Sequence, residues 1–163
     1  MNFNTEFRSV ESEEERHLEG YFIRYNEETE LWPGFFEEIA REAVEKNLNK
    51  DIRCLFDHDT SLILGRTGNK TLELKSDEKG LYGKVKINKN DNQAMDILAR
   101  IERGDINACS FGFCINDEVV ENRSDGTTKV TIKDIDLFEV SAVTFPAYPT
   151  TSIEARKKQM KNL

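Results

Sequence analysis

"EVVENRSDGTTKVTIKDIDLFEVSAVTF", residues 118–145, decides how the chain is built. Two runs rich in β-branched residues flank Asp125 and Gly126, a dipeptide suited to a tight hairpin connection. A separate long strand, "DIDLFEVSAVTF", follows the hairpin and is closed by "PAYP" at 146–149. A strand that returns on its neighbour through a tight turn makes an antiparallel pair without a crossover helix.

The same pattern holds further out. "NACSFGFCI" (107–115) reads as a buried strand, and "TLELKSDEKGLYGKVKI" (71–87) as a second hairpin around a Ser-Asp-Glu-Lys-Gly turn. "ILGRT" (63–67) is a short strand. "DIRCLFDHD" (51–59) alternates Ile52, Cys54 and Phe56 with Arg53, Leu55 and Asp57, delivering His58 at a strand end. "LEGYFIRYN" (18–26) is a strand entering the fold. "NDNQAMDILARIERGD" (90–105) is the strongest helix: Asn90 or Asp91 caps it, Ala94, Leu98 and Ile101 form one face, and Gly104 ends it. In "LWPGFFEEIAREAVEKNL" (31–48), a break at Pro33-Gly34 precedes Phe35, Phe36, Ile39, Ala43 and Val44, whose spacing predicts a short amphipathic helix. A last helix is expected in "TTSIEARKKQMKN" (150–162), capped by Thr151 or Ser152. About nine strands and three helices, joined mostly by hairpins, predict a mainly β, α+β fold. An antiparallel barrel or sandwich with helices packed outside fits that tally.

The 163 residues suit one domain with a sizeable core, and 33% charged residues describe a wet surface. No apolar run approaches the roughly 20 residues of a membrane span, and the N-terminus has no signal-peptide pattern. Net charge is −8, of which the first fifty residues carry −7, with thirteen Glu against six Lys and Arg. Such an acidic body argues against nucleic acid as a partner. Residues 1–17 read as an acidic arm, with "SEEER" (12–16) unstructured, 18–153 as the domain, and 154–163 as a basic helix or tail. Three scattered cysteines, Cys54, Cys109 and Cys114, suit reduced thiols. No metal is expected, since one of the two histidines, His17, sits in the acidic arm, and no cofactor motif is present.

His58 is the side chain best suited to take a proton from a hydroxyl or thiol near neutral pH. Ser110, in the middle of an apolar strand, is a candidate nucleophile, and Gly112 clears the same strand face for a substrate. Glu139 is the odd acid among Leu137, Phe138, Val140 and Val143, and burying it demands a partner. Each has a plain structural reading too: a hydrogen-bonded surface histidine, a serine satisfied by backbone, an acid facing solvent. Asp57, Asp59 and Asp136 are other acids that could orient the histidine. Cys109 competes with Ser110, but adjacent strand residues face opposite ways, so only one of them can meet His58. The order His, Ser, acid differs from that of α/β-hydrolases, whose G-x-S-x-G is missing, and from the His, Asp, Ser of chymotrypsin-like enzymes.

"GYFIRYN…LWPGFFEEI", "RCLFDHD…LGRT", "CSFGF" and "LFEVSAVTFPAYPTTS", in that order, resemble the prohead (capsid maturation) protease family of tailed bacteriophages over residues 18–153. The resemblance implies a serine endopeptidase distantly similar to the herpesvirus assemblins, with a closed β-barrel ringed by helices. It implies His58 as general base and Ser110 as nucleophile. Glu139 stands where the herpesvirus enzymes carry a second histidine. The paired arginine that follows that strand in the herpesvirus enzymes is lacking, so backbone N–H groups are the default oxyanion stabilisers, with Arg66 a weaker candidate. Implied substrates are the scaffold and the N-terminal segment of the major capsid protein, with self-cleavage, inside a procapsid in the bacterial cytoplasm. A homo-oligomer is implied as well, with no membrane partner. The competing reading is a non-enzymatic scaffold or capsid-interior protein with the same barrel.

Overall fold

The computed structural model describes residues 8–11 and 16–145. The expected C-terminal helix and basic tail, the "PAYP" closure and the "SEEER" stretch up to Glu15 lie outside them. Ten strands and two α-helices form among the described residues. The smaller sheet runs β1 (Arg8–Glu11), β2 (Arg16–Arg24), β8 (Gly80–Lys86), β7 (Leu72–Ser76), all antiparallel. Part of the expected arm is therefore sheet: Arg8–Glu11 pair with Arg16–Glu19.

The larger sheet is organised by one long strand, β10 (Thr128–Val143). β9 (Ala108–Asn122) lies antiparallel along it through the hairpin read at Asp125-Gly126, where Arg123 N–H donates to Thr127 O at 2.8 Å. The other edge of β10 takes two strands in succession, both parallel to it. β4 (Phe35–Ile39) pairs with Thr128–Ile132, and β5 (Arg53–Phe56) with Glu139–Ala142. β3 (Thr29–Trp32) borders β4, and β6 (Asp59–Arg66) borders β5.

Between the two parallel partners the edge of β10 would be bare. The helix α1 (Arg41–Glu45) crosses here, and the fully buried side chain of Asn47 fills the gap. Its amide donates to Ile135 O and to Ala43 O, both at 3.1 Å, and its oxygen accepts from Leu137 N at 3.1 Å. One side-chain amide thus replaces a strand residue, and the buried backbone groups of β10 stay paired.

Two expectations are corrected. The sheets do not close into a barrel, and the larger sheet is mixed rather than antiparallel. β6 runs through a 3₁₀ turn (Thr67–Asn69) into β7, so the sheets meet at a corner without a shared ladder. Instead their apolar faces share one core, Phe22 and Val85 with Ile115, Ile132 and Val140. Secondly, Phe35, Phe36 and Ile39 lie in strand, and only Arg41–Glu45 is helical. The period-two pattern was hidden because an inward position of β4 is an acid, Glu37, at 9% exposure. The helix α2 (Asn92–Arg103) forms as read: Asp91 Oδ1 accepts from Gln93 N and Ala94 N, Ala94, Leu98 and Ile101 are buried, and Gly104 terminates it at φ +89°.

Candidate active site

His58 does not end a strand; with Asp57 it makes the two-residue connection between β5 and β6, where Phe56 pairs with Asp59. Both residues have positive φ, 51° and 58°. That geometry suits the twist of a hairpin but costs a non-glycine residue about 1–2 kcal/mol. Four hydrogen bonds staple the turn to the end of β10. Asp57 N donates to Ala142 O at 2.8 Å and His58 N to Ser141 Oγ at 3.1 Å. The Asp57 carboxylate accepts from Thr144 N at 2.7 Å and Thr144 Oγ1 at 2.9 Å.

The surface beneath the imidazole comes from the β9–β10 pair. Ser110 lies opposite Ser141, and Gly112 opposite Glu139. Strand alternation gives these four positions one face. Gly112 matters here by what it lacks: a Cβ would stand 2.4 Å from Glu139 Oε1. The carboxylate occupies the space above the glycine and reaches the histidine.

The His58 ring lies between the two other candidates. Its Nδ1 hydrogen-bonds Glu139 Oε1, and its Nε2 is 3.1 Å from Ser110 Oγ. Since a carboxylate accepts and cannot give in this bond, Nδ1 carries the proton and the neutral ring offers Nε2 as acceptor for the Ser110 hydroxyl. Glu139 Oε2 accepts in turn from Ser141 Oγ at 2.7 Å. The Glu139 hydrogen bond is the main cause holding the His58 imidazole above its ordinary 6.5; partial burial opposes it, and the charges of Glu139 and Asp57 add to it. The His58 side chain is 43% exposed and that of Glu139 13%, so the ring opens to solvent while the acid behind it is shielded. A hydroxyl facing a carboxylate-oriented imidazole can lose its proton to that ring as it attacks an electrophile.

The sequence profile described as "Caudovirus prohead serine protease" matches residues 3–163. The chain belongs to this family. No curated protein and no solved structure is a significant match. Capsid maturation by a serine protease is therefore the family's activity, and the assembly of a phage prohead its setting. No helix among the described residues is long and apolar enough to cross a membrane.

In this prohead protease family member the other candidates are engaged elsewhere. Asp57 clamps Thr144, and Asp59 accepts from Ser61 N and Oγ. Asp136 lies opposite Cys114, its carboxyl held below the usual range by Asn116 and Lys50. Cys109 is buried opposite Ala142, on the face away from Ser110. All three cysteines are thiols. Arg66 is bound by Asp51 at the far end of β6, roughly 20 Å or more along the strand from His58. One residue of the site escaped the sequence reading. Ser141 was visible in principle, two residues from Glu139 and hence on its face. Gly112, expected to clear its strand face for a substrate, makes room for the Glu139 carboxylate.

Proposed function

We propose that the chain is a serine endopeptidase with a Ser110-His58-Glu139 triad. It cleaves scaffold and the N-terminal segment of the major capsid protein within the procapsid, in the bacterial cytoplasm, and cleaves itself. The observation carrying this reading is the single imidazole that meets Glu139 through Nδ1 and Ser110 Oγ at 3.1 Å through Nε2. Ser110 Oγ attacks the scissile carbonyl carbon while its proton passes to Nε2. Glu139 keeps the ring in the correct tautomer and stabilises the imidazolium. The tetrahedral oxyanion is held by backbone N–H groups. Nε2 then protonates the leaving amine as the C–N bond breaks, and water repeats the sequence to release the acyl group from Ser110.

The test is incubation of the purified chain with capsid and scaffold proteins, with fragments read by mass spectrometry. Ser110→Ala should lose at least about 10³-fold in rate with an unchanged melting temperature. A serine-directed phosphonate should label Ser110 in the parent. Near-normal cleavage by Ser110→Ala, together with loss in Cys109→Ala, would move the nucleophile to Cys109. A chain that neither cleaves nor takes the label would be the non-enzymatic capsid-interior protein.

A further inference from the structure

Ser141 has no solvent exposure, yet it carries a hydroxyl in a strand otherwise lined by Val140, Ala142 and Val143. That hydroxyl both accepts and donates a hydrogen bond. It accepts from the backbone N–H of His58 at 3.1 Å and donates to Glu139 Oε2 at 2.7 Å. Glu139 Oε1 returns to Nδ1 of the same histidine. These contacts form a closed ring: His58 backbone, Ser141 hydroxyl, Glu139 carboxylate, His58 imidazole. We infer that Ser141 is a positioning residue of this site, fixing the His58 turn and the Glu139 carboxylate together so that one hydroxyl sets the direction of Nε2.

The ring answers two physical problems at once. His58 adopts a left-handed φ that any side chain but glycine resists, and its N–H must be satisfied at the turn. The Glu139 carboxylate has two oxygens, and unless one is anchored it rotates freely about its last bond. Ser141 anchors Oε2, which aims Oε1 at Nδ1. The charged groups acting on His58 are Glu139 on β10 and Asp57 in the turn. Asp57 is held independently by Thr144, so loss of Ser141 leaves that clamp in place.

The inference rests on the triad reading, and its test separates the two. The chain has only two histidines, so NMR titration of the imidazoles follows His58 directly, with His17→Gln assigning the signals. The background is the full chain carrying Ser110→Ala, which removes self-cleavage. Adding Ser141→Ala should lower the His58 midpoint towards the ordinary 6.5. In the chain with Ser110 intact, Ser141→Ala should lower kcat by about 10- to 100-fold with KM unchanged, the scale expected of misaligned reacting groups. Ser141→Thr, which keeps the hydroxyl, should restore both. If Ser141→Ala does not fold, Ser141→Cys carries the same expectation, since its S–H is a weak donor of similar volume. An unchanged or raised His58 midpoint, or parental kcat in Ser141→Ala, overturns the inference. Cleavage surviving Ser110→Ala would instead remove the triad reading, and the titration would still decide the ring.

Discussion

His58 is held above 6.5 chiefly because Glu139 accepts its Nδ1 proton, and in the proposed mechanism it acts as a general base, which works only when neutral. The rate should therefore rise with pH along a limb lying above 6.5, and Glu139→Gln should move that limb down, as pH profiles of kcat/KM will show. For stability the sign is opposite. A histidine whose folded value is raised favours the fold fully below 6.5, and that contribution fades as pH climbs through the folded value. Glu139→Gln should cost less activity than His58→Ala, because an amide oxygen can still accept from Nδ1. Asp136→Asn should leave the rate at the parental level, since Asp136 faces Lys50. A fully active Glu139→Gln beside a dead Asp136→Asn would transfer the role. Gly112→Ala is the sharpest steric probe: its Cβ would displace the Glu139 carboxylate rather than backbone. Cleavage should fall at least about 10-fold with little change in melting temperature.

Among the elements, β10 carries the most, for it holds Glu139 and Ser141 and pairs with β9, β4 and β5. In the gap between β4 and β5, the Asn47 side chain meets the β10 backbone at Ile135 O and Leu137 N. Asn47→Ala would leave Ile135 O and Leu137 N without their partner. At about 1–3 kcal/mol for each buried group, stability should fall by about 3 kcal/mol, measured as a shift in the urea midpoint. Asp91→Ala removes only the cap of α2 and should cost about 1 kcal/mol. A reversed ranking of the two variants would show that the gap is not bridged by this side chain.

Across the whole molecule, the site opens on one face of β9 and β10, and the family acts in a prohead, where confinement raises local concentration. If self-association completes the enzyme, specific activity should climb with protein concentration, in step with a larger sedimenting species. A monodisperse monomer of constant specific activity over a dilution series would reject a homo-oligomer as the working form.

Much of the molecule was legible in residue order alone. The hairpin at Asp125-Gly126, the hairpin over residues 71–87 and the capped helix α2 all rest on chemistry acting within a few residues. Turn dihedrals, strand alternation and capping hydrogen bonds are local, so sequence specifies them. Tertiary structure decided which strand edges meet. Every residue but proline offers the same backbone N–H and C=O, so nothing in "FFEEI" or "RCLF" says that both will lie parallel along one edge of β10. The sheets' failure to close, the Asn47 bridge 88 residues from Ile135, and the Ser141 contact 83 residues from His58 follow from those pairings. Contacts at such separation depend on how the whole core packs, because burial in that core offsets the loop-closure entropy that opposes them.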